Sequence, residues 1–162
     1  MDAKQAVLLS KHPYLYELAM KKDENGNAEY QRGRELLLEI APYADEELKG
    51  YVLPKIPLTW YFEGASNFEK QMFEEALVCF NNAFNGFQEL GLTSNAISAL
   101  KQVAIVNYYT YHIEEVIKKY EQALLMSQTI NDSIAQMYIA QELYRLSGIV
   151  GDMEGITKYI NL

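Results

Sequence analysis

The sequence predicts an all-α protein in which pairs of helices stack on one another. Glycine and proline are scarce, with nine and four in 162 residues. Apolar residues recur at spacings of three and four, which is the helical signal, and β-branched alternation is nearly absent. The apolar pattern also repeats after 40 residues. A period of roughly 20 to 50 residues that contains two helices is typical of an α-solenoid, for which we expect about seven to nine helices in one continuous domain.

Residues 1–56 form the first region, which we interpret as short N-terminal helices; a degenerate repeat pair is one arrangement for them. Proline suits the first helical turn, so the first helix is predicted over residues 13–22. A second helix is predicted over residues 28–40 and a third, capped by its first residue, over residues 45–51. Pro54 and Pro57 follow and are expected to end the third helix.

Residues 57–162 form the second region and contain the repeat. One apolar stripe comprises Phe73, Ala76, Leu77, Phe80, Ala83, Phe84, Phe87 and Leu90. Forty residues later the counterparts are Ile113, Val116, Ile117, Tyr120, Ala123, Leu124, Ser127 and Ile130. Seven of these eight are again apolar or aromatic, and a third copy, shifted by 39, offers Gly155, Ile156, Tyr159 and Leu162. Each set predicts one buried face of a helix. Gly91 suits a helix end, and Asp132 or Ser133 suits the next start.

The second region resembles the tetratricopeptide-repeat family in two clear copies and one partial copy. The first copy has Trp60, Gly64, Phe73, Ala76, Phe80 and Ala83 at the family's positions; the second has Leu100, Ala104, Val116, Tyr120 and Ala123. The resemblance implies a right-handed solenoid of antiparallel helix pairs. The period of 40 exceeds the family's usual 34 and is closer to the repeats of bacterial peptide-sensing regulators. Tyr144 replaces the small residue of Gly64 and Ala104, so we expect looser packing in the third pair.

In the resembled family, the first helix of each pair lines a concave groove that binds extended ligands. Carried over to this chain, the groove would be lined by Leu58, Tyr61, Ala65 and Phe68, then by Ser98, Lys101, Ile105 and Tyr108, and then by Tyr138, Gln141 and Arg145. Residues three or four apart share a helical face, which groups the members of each set. The set is aromatic with two cations in an otherwise acidic chain, and an interhelical core position is the alternative for each residue.

Composition and motifs argue against several functions. Fourteen Lys and Arg against 22 Asp and Glu give a net charge of −8, which opposes binding to nucleic acid or to an anionic membrane. No apolar run reaches the length of a membrane span, and the lone Cys79 cannot form an internal disulfide, so we predict a cytoplasmic protein. With two histidines 100 residues apart, His12 and His112, no metal-ligand spacing exists. We therefore predict no metal, no cofactor and no catalytic residue. The paired acids Glu74–Glu75 and Glu114–Glu115 are attributed to helix N-termini.

Tyrosine is the residue type in clearest excess, at 13 of 162. Tyrosine fills gaps between helices, and it also supplies contact area in recognition surfaces. We predict a non-enzymatic interaction module that binds a peptide or protein segment. The alternatives are the sensory domain of a bacterial peptide-responsive regulator and a structural subunit of a larger assembly. An uncapped repeat end would expose apolar surface, so a homodimer through that end is a further expectation.

Overall fold

The computed structural model describes residues 3–160, with side chains described from Ser10 onward except that of His12. Within this range the fold is all-α, as predicted, and inside each of the two compact units described below consecutive helices pack against their neighbours in sequence. Eight α-helices and one short 3-10 helix occupy the described residues, which agrees with the expected number. Their bounds are α1 Ala3–Met20, α2 Tyr30–Ile40, the 3-10 helix Ala41–Tyr43, α3 Glu46–Glu69, α4 Phe73–Glu89, α5 Thr93–Tyr109, α6 Ile113–Thr129, α7 Ser133–Val150 and α8 Met153–Ile160.

The chain divides into two compact units, residues 1–90 and 91–162. The first unit contains α1 to α4 and the second contains α5 to α8. The boundary predicted at residues 56 and 57 falls inside α3, and the prediction of one continuous domain stays a prediction.

The predicted boundaries at prolines are wrong in two helices. Helix α1 begins at Ala3 and runs through Pro13, and α3 continues through Pro54 and Pro57 to Glu69. Proline removes one helical hydrogen bond, but the carbonyl that Pro54 leaves without a partner belongs to exposed Gly50, where water can bond to it. The second predicted helix and the cap of the third are confirmed: α2 ends at Ile40, and the Asp45 carboxylate accepts a hydrogen bond from the Leu48 N–H at 2.8 Å.

The apolar stripes form most of the interior, as predicted, but their last members, Leu90 and Ile130, are exposed because they lie at the helix ends. In α4, Ala76, Phe80, Ala83, Phe84 and Phe87 are buried, and their counterparts in α6, Val116, Tyr120, Ala123, Leu124 and Ser127, are buried too. Ser127 replaces a phenylalanine and remains buried because its hydroxyl donates a hydrogen bond to the Leu124 carbonyl at 2.7 Å. In the third copy Gly155 and Tyr159 are buried, whereas Leu162 lies outside the described residues.

The first unit has a further core where α2 contacts both α1 and α3. Tyr16, Leu37, Ile40 and Val52 are its buried members. Small residues permit close helix packing elsewhere in this unit. A Cβ atom at Gly64 would lie 3.0 Å from the Phe80 ring, and one at Gly86 would lie 2.8 Å from the Pro57 Cβ atom.

The turns between helices recur every 20 residues from α3 onward. Gln71, Gly91, Tyr111, Asn131 and Gly151 all have left-handed backbone angles, with φ between 53° and 73°. After four of them the next N–H donates to a carbonyl five residues back: Met72 to Asn67, His112 to Asn107, Asp132 to Ser127 and Asp152 to Ser147, at 2.9–3.0 Å. This is the Schellman arrangement, which satisfies carbonyls at a helix end. Helices α4, α5 and α6 consequently have 17 residues each.

None of the helices in the described range combines the length and apolar character needed to cross a membrane.

Candidate functional site

Helices α5 and α7 lie side by side in the second unit, joined by two contacts between a cation and an aromatic ring. The Lys101 ammonium lies 4.2 Å from the centroid of the Tyr138 ring. The Arg145 guanidinium lies 5.2 Å from the centroid of the Tyr108 ring. The partners in both pairs are separated by the same 37 positions, so α5 and α7 run in the same direction.

These two contacts lie on one accessible surface. Tyr108 and Tyr138 are 38% and 39% exposed, Ser98, Gln141 and Arg145 are exposed, and Lys101 and Ile105 are half-buried. We call the surface formed by Ser98, Lys101, Ile105, Tyr108, Tyr138, Gln141 and Arg145 the α5–α7 face. All seven predicted groove residues of the second unit are therefore accessible in part, and four of them are in direct contact across the two helices.

Arg145 is the better neutralised of the two cations. Its Nη2 and Nε atoms donate to one oxygen of Glu142, at 2.8 and 3.2 Å. This hydrogen bond, followed by one to Tyr108, raises the pKa of Arg145 above its usual value. No ion pair involves Lys101 in the described part of the chain. Glu142 was missed from the sequence, although its spacing of three from Arg145 on a helix is the signal for such a pair.

Tyr120 on α6 supports the face from the interior. It is 3% exposed, and burial raises the pKa of its hydroxyl, with the neighbouring Tyr138 and Glu142 adding to the effect. Tyr138 therefore lies between a buried tyrosine and the Lys101 ammonium. The sequence places Tyr120 in the apolar stripe but gives no indication that it adjoins the α5–α7 face.

The predicted groove residues of the first unit do not form one surface. Leu58 and Ala65 line a cavity of about 350 Å³. Tyr61 instead packs edge-on against Phe80 of α4, with ring centroids 5.5 Å apart, and Phe68 packs against Phe73 at 5.7 Å. The predicted set thus divides into two residues that face a cavity and two that pack towards α4.

The cavity of the first unit was not predicted from the sequence. Its lining residues are Tyr16, Glu17, Met20, Lys22, Tyr30, Lys55, Leu58, Phe62, Ala65, Ser66 and Glu69. The Lys55 ammonium lies 4.9 Å from the ring centroid of Tyr16 and 4.4 Å from that of Tyr51. The cavity needs residues from α1 to α3, and the sequence provides no register that joins those helices.

Cys79 and His112 are the two described side chains that the sequence offers for catalysis, and they lie on α4 and in the turn before α6. Cys79 is 4% exposed, and burial raises the pKa of its thiol to about 11, so the thiolate is scarce at neutral pH. His112 is exposed, and its Nδ1 atom lies 2.9 Å from the Thr110 hydroxyl. Among the described residues, no three His, Cys, Asp or Glu side chains are grouped closely enough to hold a metal ion. The paired acids lie in the first turns of α4 and α6, as predicted.

No protein-family model matches the sequence, and a search of curated proteins finds no match.

Proposed function

We propose that this chain is a non-enzymatic helical-repeat module that binds a peptide or protein segment on the α5–α7 face. The observation that carries the proposal is the pair of cation–ring contacts, Lys101 with Tyr138 and Arg145 with Tyr108, on an accessible surface of two parallel helices. Aromatic and cationic side chains contribute most of the binding energy at many interfaces. We further propose membership of the tetratricopeptide-repeat class and a place in the cytoplasm.

The charges favour an acidic ligand. Lys101 has no carboxylate partner among the described residues, so its positive charge is available to a ligand carboxylate. Arg145 is already paired with Glu142, so it contributes mainly through its contact with Tyr108. We expect Lys101 to select the ligand's negative charge and the two tyrosine rings to contact its apolar groups.

The spacing of the two contacts suggests how a ligand lies. They are seven residues apart along α5, which corresponds to about 10 Å of helix. An extended peptide covers that distance in about three residues. A segment with an acidic residue and an aromatic or aliphatic residue three positions away would reach both contacts.

A random peptide-display library provides the probe for this proposal. Enriched peptides are expected to contain Asp or Glu, and Lys101→Ala is expected to weaken their binding by at least about tenfold in calorimetry. Arg145→Ala should have a smaller effect, and the double variant should weaken binding most, with helical circular dichroism unchanged. Lys118→Ala is the matched control, because Lys118 is exposed on α6 and already paired with Glu115. Acid-free peptides, or equal binding by Lys101→Ala, would refute the proposal.

A sensory domain of a peptide-responsive regulator is the second candidate, and the observation in its favour is the 40-residue spacing of helix starts, at Phe73, Ile113 and Met153. Such a regulator needs a basic helix-turn-helix segment in the same gene. Sequencing the gene on both sides of the region that encodes this chain tests the idea. If no helix-turn-helix segment is encoded there, the interaction module and the structural subunit are the functions that stay as proposals.

A further inference from the structure

The cavity of the first unit follows one face of α3. Lys55, Leu58, Phe62, Ala65 and Glu69 all line it, and their spacings of three and four place them on the same side of the helix. From Lys55 to Glu69 this face is about 21 Å long. A volume of about 350 Å³ spread over that length makes the cavity elongated, and the volume is within the range of small-molecule sites.

The middle section of the cavity is apolar. Leu58, Phe62 and Ala65 line it from α3, and Met20 lines it from α1. Phe62 is 43% exposed, so an apolar ligand would remove part of its ring from water. These four side chains offer no hydrogen-bond donor, and their only acceptor is the weak thioether of Met20. A peptide would need partners for an N–H and a carbonyl at each residue, whereas methylene groups need none. The section therefore favours a hydrocarbon chain.

A half-buried cation lies at one end of the apolar section. The Lys55 ammonium lies 4.9 Å from the ring centroid of Tyr16 and 4.4 Å from that of Tyr51. None of the ion pairs in the described part of the chain involves Lys55. Burial, with Glu17 and Tyr51 adding to the effect, raises the pKa of Tyr16 to about 12, so this ring is neutral at neutral pH and leaves the ammonium charge uncompensated. A carboxylate is a ligand group that accepts hydrogen bonds from such an ammonium.

The other charged lining residues favour a ligand with one negative charge. Glu17, Lys22 and Glu69 are exposed, so water and salt screen their charges more than that of half-buried Lys55. Glu69 is at the end of the cavity away from Lys55, where it would repel a second carboxylate. A monocarboxylic acid therefore suits this distribution of charge better than a dicarboxylic acid.

We propose that this cavity binds a monocarboxylic acid with a linear hydrocarbon chain. The carboxylate pairs with Lys55, and the chain extends along Leu58 and Phe62 towards Ala65. From Lys55 to Ala65 the helix is about 15 Å long, which suits a chain of the length of dodecanoate. The site lies in the first unit and includes no residue of the α5–α7 face, so its test does not depend on peptide binding there.

Calorimetric titration of the whole chain with octanoate and dodecanoate, below their micelle-forming concentrations, tests the inference. One site per chain is expected, and octanol, which has the same chain as octanoate without the charge, should bind at least about tenfold more weakly than octanoate. A net charge of −8 repels anions from the chain as a whole, so binding of the acids would not be a general attraction of charge.

Substitutions at Lys55 test the carboxylate contact. Lys55→Gln is expected to weaken octanoate binding at least about tenfold, and Lys55→Arg should retain most of it because the charge is kept. Lys49→Gln is the matched control, since Lys49 is also half-buried on α3 but pairs with Glu46 at 3.0 Å and does not line the cavity. No binding of either acid, equal binding of octanol, or equal binding by Lys55→Gln would overturn the inference.

Chain length tests the direction of the chain. Each methylene added between octanoate and dodecanoate should tighten binding about two- to fourfold, as expected for burial in an apolar section. Ala65→Leu fills the far end of that section, so it should weaken dodecanoate binding and leave octanoate binding unchanged, with the same helical circular dichroism. Equal effects of Ala65→Leu on the two acids would overturn the inference as well, by placing the chain elsewhere.

Discussion

The Arg34 guanidinium on α2 lies 2.6 Å from the Glu63 carboxylate on α3, with the two side chains only 8% and 26% exposed. The same guanidinium lies 3.4 Å from the centroid of the Trp60 ring. Arginine suits such a place because its planar group forms an ion pair and stacks on an aromatic ring at once. A single side chain thus joins α2 to α3 by charge and by ring contact.

Arg34→Ala is expected to lower the free energy of unfolding by about 3 kcal/mol, because it leaves the half-buried Glu63 charge without its partner. Urea denaturation monitored by circular dichroism measures the change. Arg32→Ala provides the control on the same helix: Arg32 pairs with Glu35 at 3.5 Å, but both side chains are about half exposed, so the loss should stay within about 0.5 kcal/mol. Equal effects of the two variants would show that burial of the Arg34 pair contributes nothing.

Gly64→Ala is expected to destabilise the first unit by about 1 to 3 kcal/mol, because its Cβ atom would lie 3.0 Å from the Phe80 ring. Thermal unfolding measures the loss, and Phe80→Leu in the same chain should recover part of it by making room. Gly50→Ala is the matched control in α3, since nothing lies within 4 Å of its added Cβ atom. That change should stabilise the helix by about 0.5 to 1 kcal/mol. A loss of stability in Gly50→Ala would show that the effect of Gly64→Ala does not come from the contact with Phe80.

The contact between Gly64 and Phe80 illustrates what the sequence predicts well. Helical stripes and small residues at fixed positions arise from local periodicity, and they correctly identified the buried faces of α4 and α6. The prolines misled the prediction because a helix can continue through a proline where water can bond to the carbonyl that the proline leaves without a partner, as at exposed Gly50, and local sequence does not show that exposure.

The candidate surface could be predicted only in the second unit, where the register of the 40-residue repeat determines which residues of α5 and α7 adjoin. Lys101, Tyr108, Tyr138 and Arg145 meet because α5 and α7 are equivalent helices of successive pairs. In α3 the same reasoning grouped Leu58 with Tyr61, which are three residues apart but have different neighbours: the first lines a cavity towards α1, and the second contacts Phe80. The width of a helical face exceeds the precision of a spacing rule, so neighbouring positions can belong to different surfaces.

Tyr111→Gly is expected to raise the free energy of unfolding by about 1 kcal/mol. Tyr111 has φ of 62° in the turn before α6 and is 89% exposed, so the ring contributes little while the backbone is strained. Chemical denaturation provides the measurement. Gly91→Ala, at the equivalent position of the preceding turn with φ of 69°, should lower stability by a similar amount. A loss of stability in Tyr111→Gly would mean that the ring has a role beyond the turn.

Cys79 is expected to react with an aromatic disulfide at pH 8 at least about 100-fold more slowly in the folded chain than in urea. Burial raises the pKa of the thiol from 9.0 to about 11, so the reactive thiolate is depleted in the folded state. In the unfolded chain this thiol ionises at a lower pH than in the folded chain. The free energy of unfolding is therefore expected to fall as pH rises from about 9 to 11. Absorbance of the released thiolate follows the reaction, and Cys79→Ser is the blank. Equal rates in the two states would show that the thiol is accessible.

The left-handed turn residues at positions 71, 91, 111, 131 and 151 set the size of insertion that this chain can accept. Copying residues 92–131 joins two turns of the same kind, so the helices that follow keep their direction and their buried stripe. Copying one helix alone would reverse every helix after it and direct its stripe to the wrong neighbour. Lengthening by gene duplication or by engineering should therefore succeed in steps of 40 residues, and each step would add one helix beside the α5–α7 face.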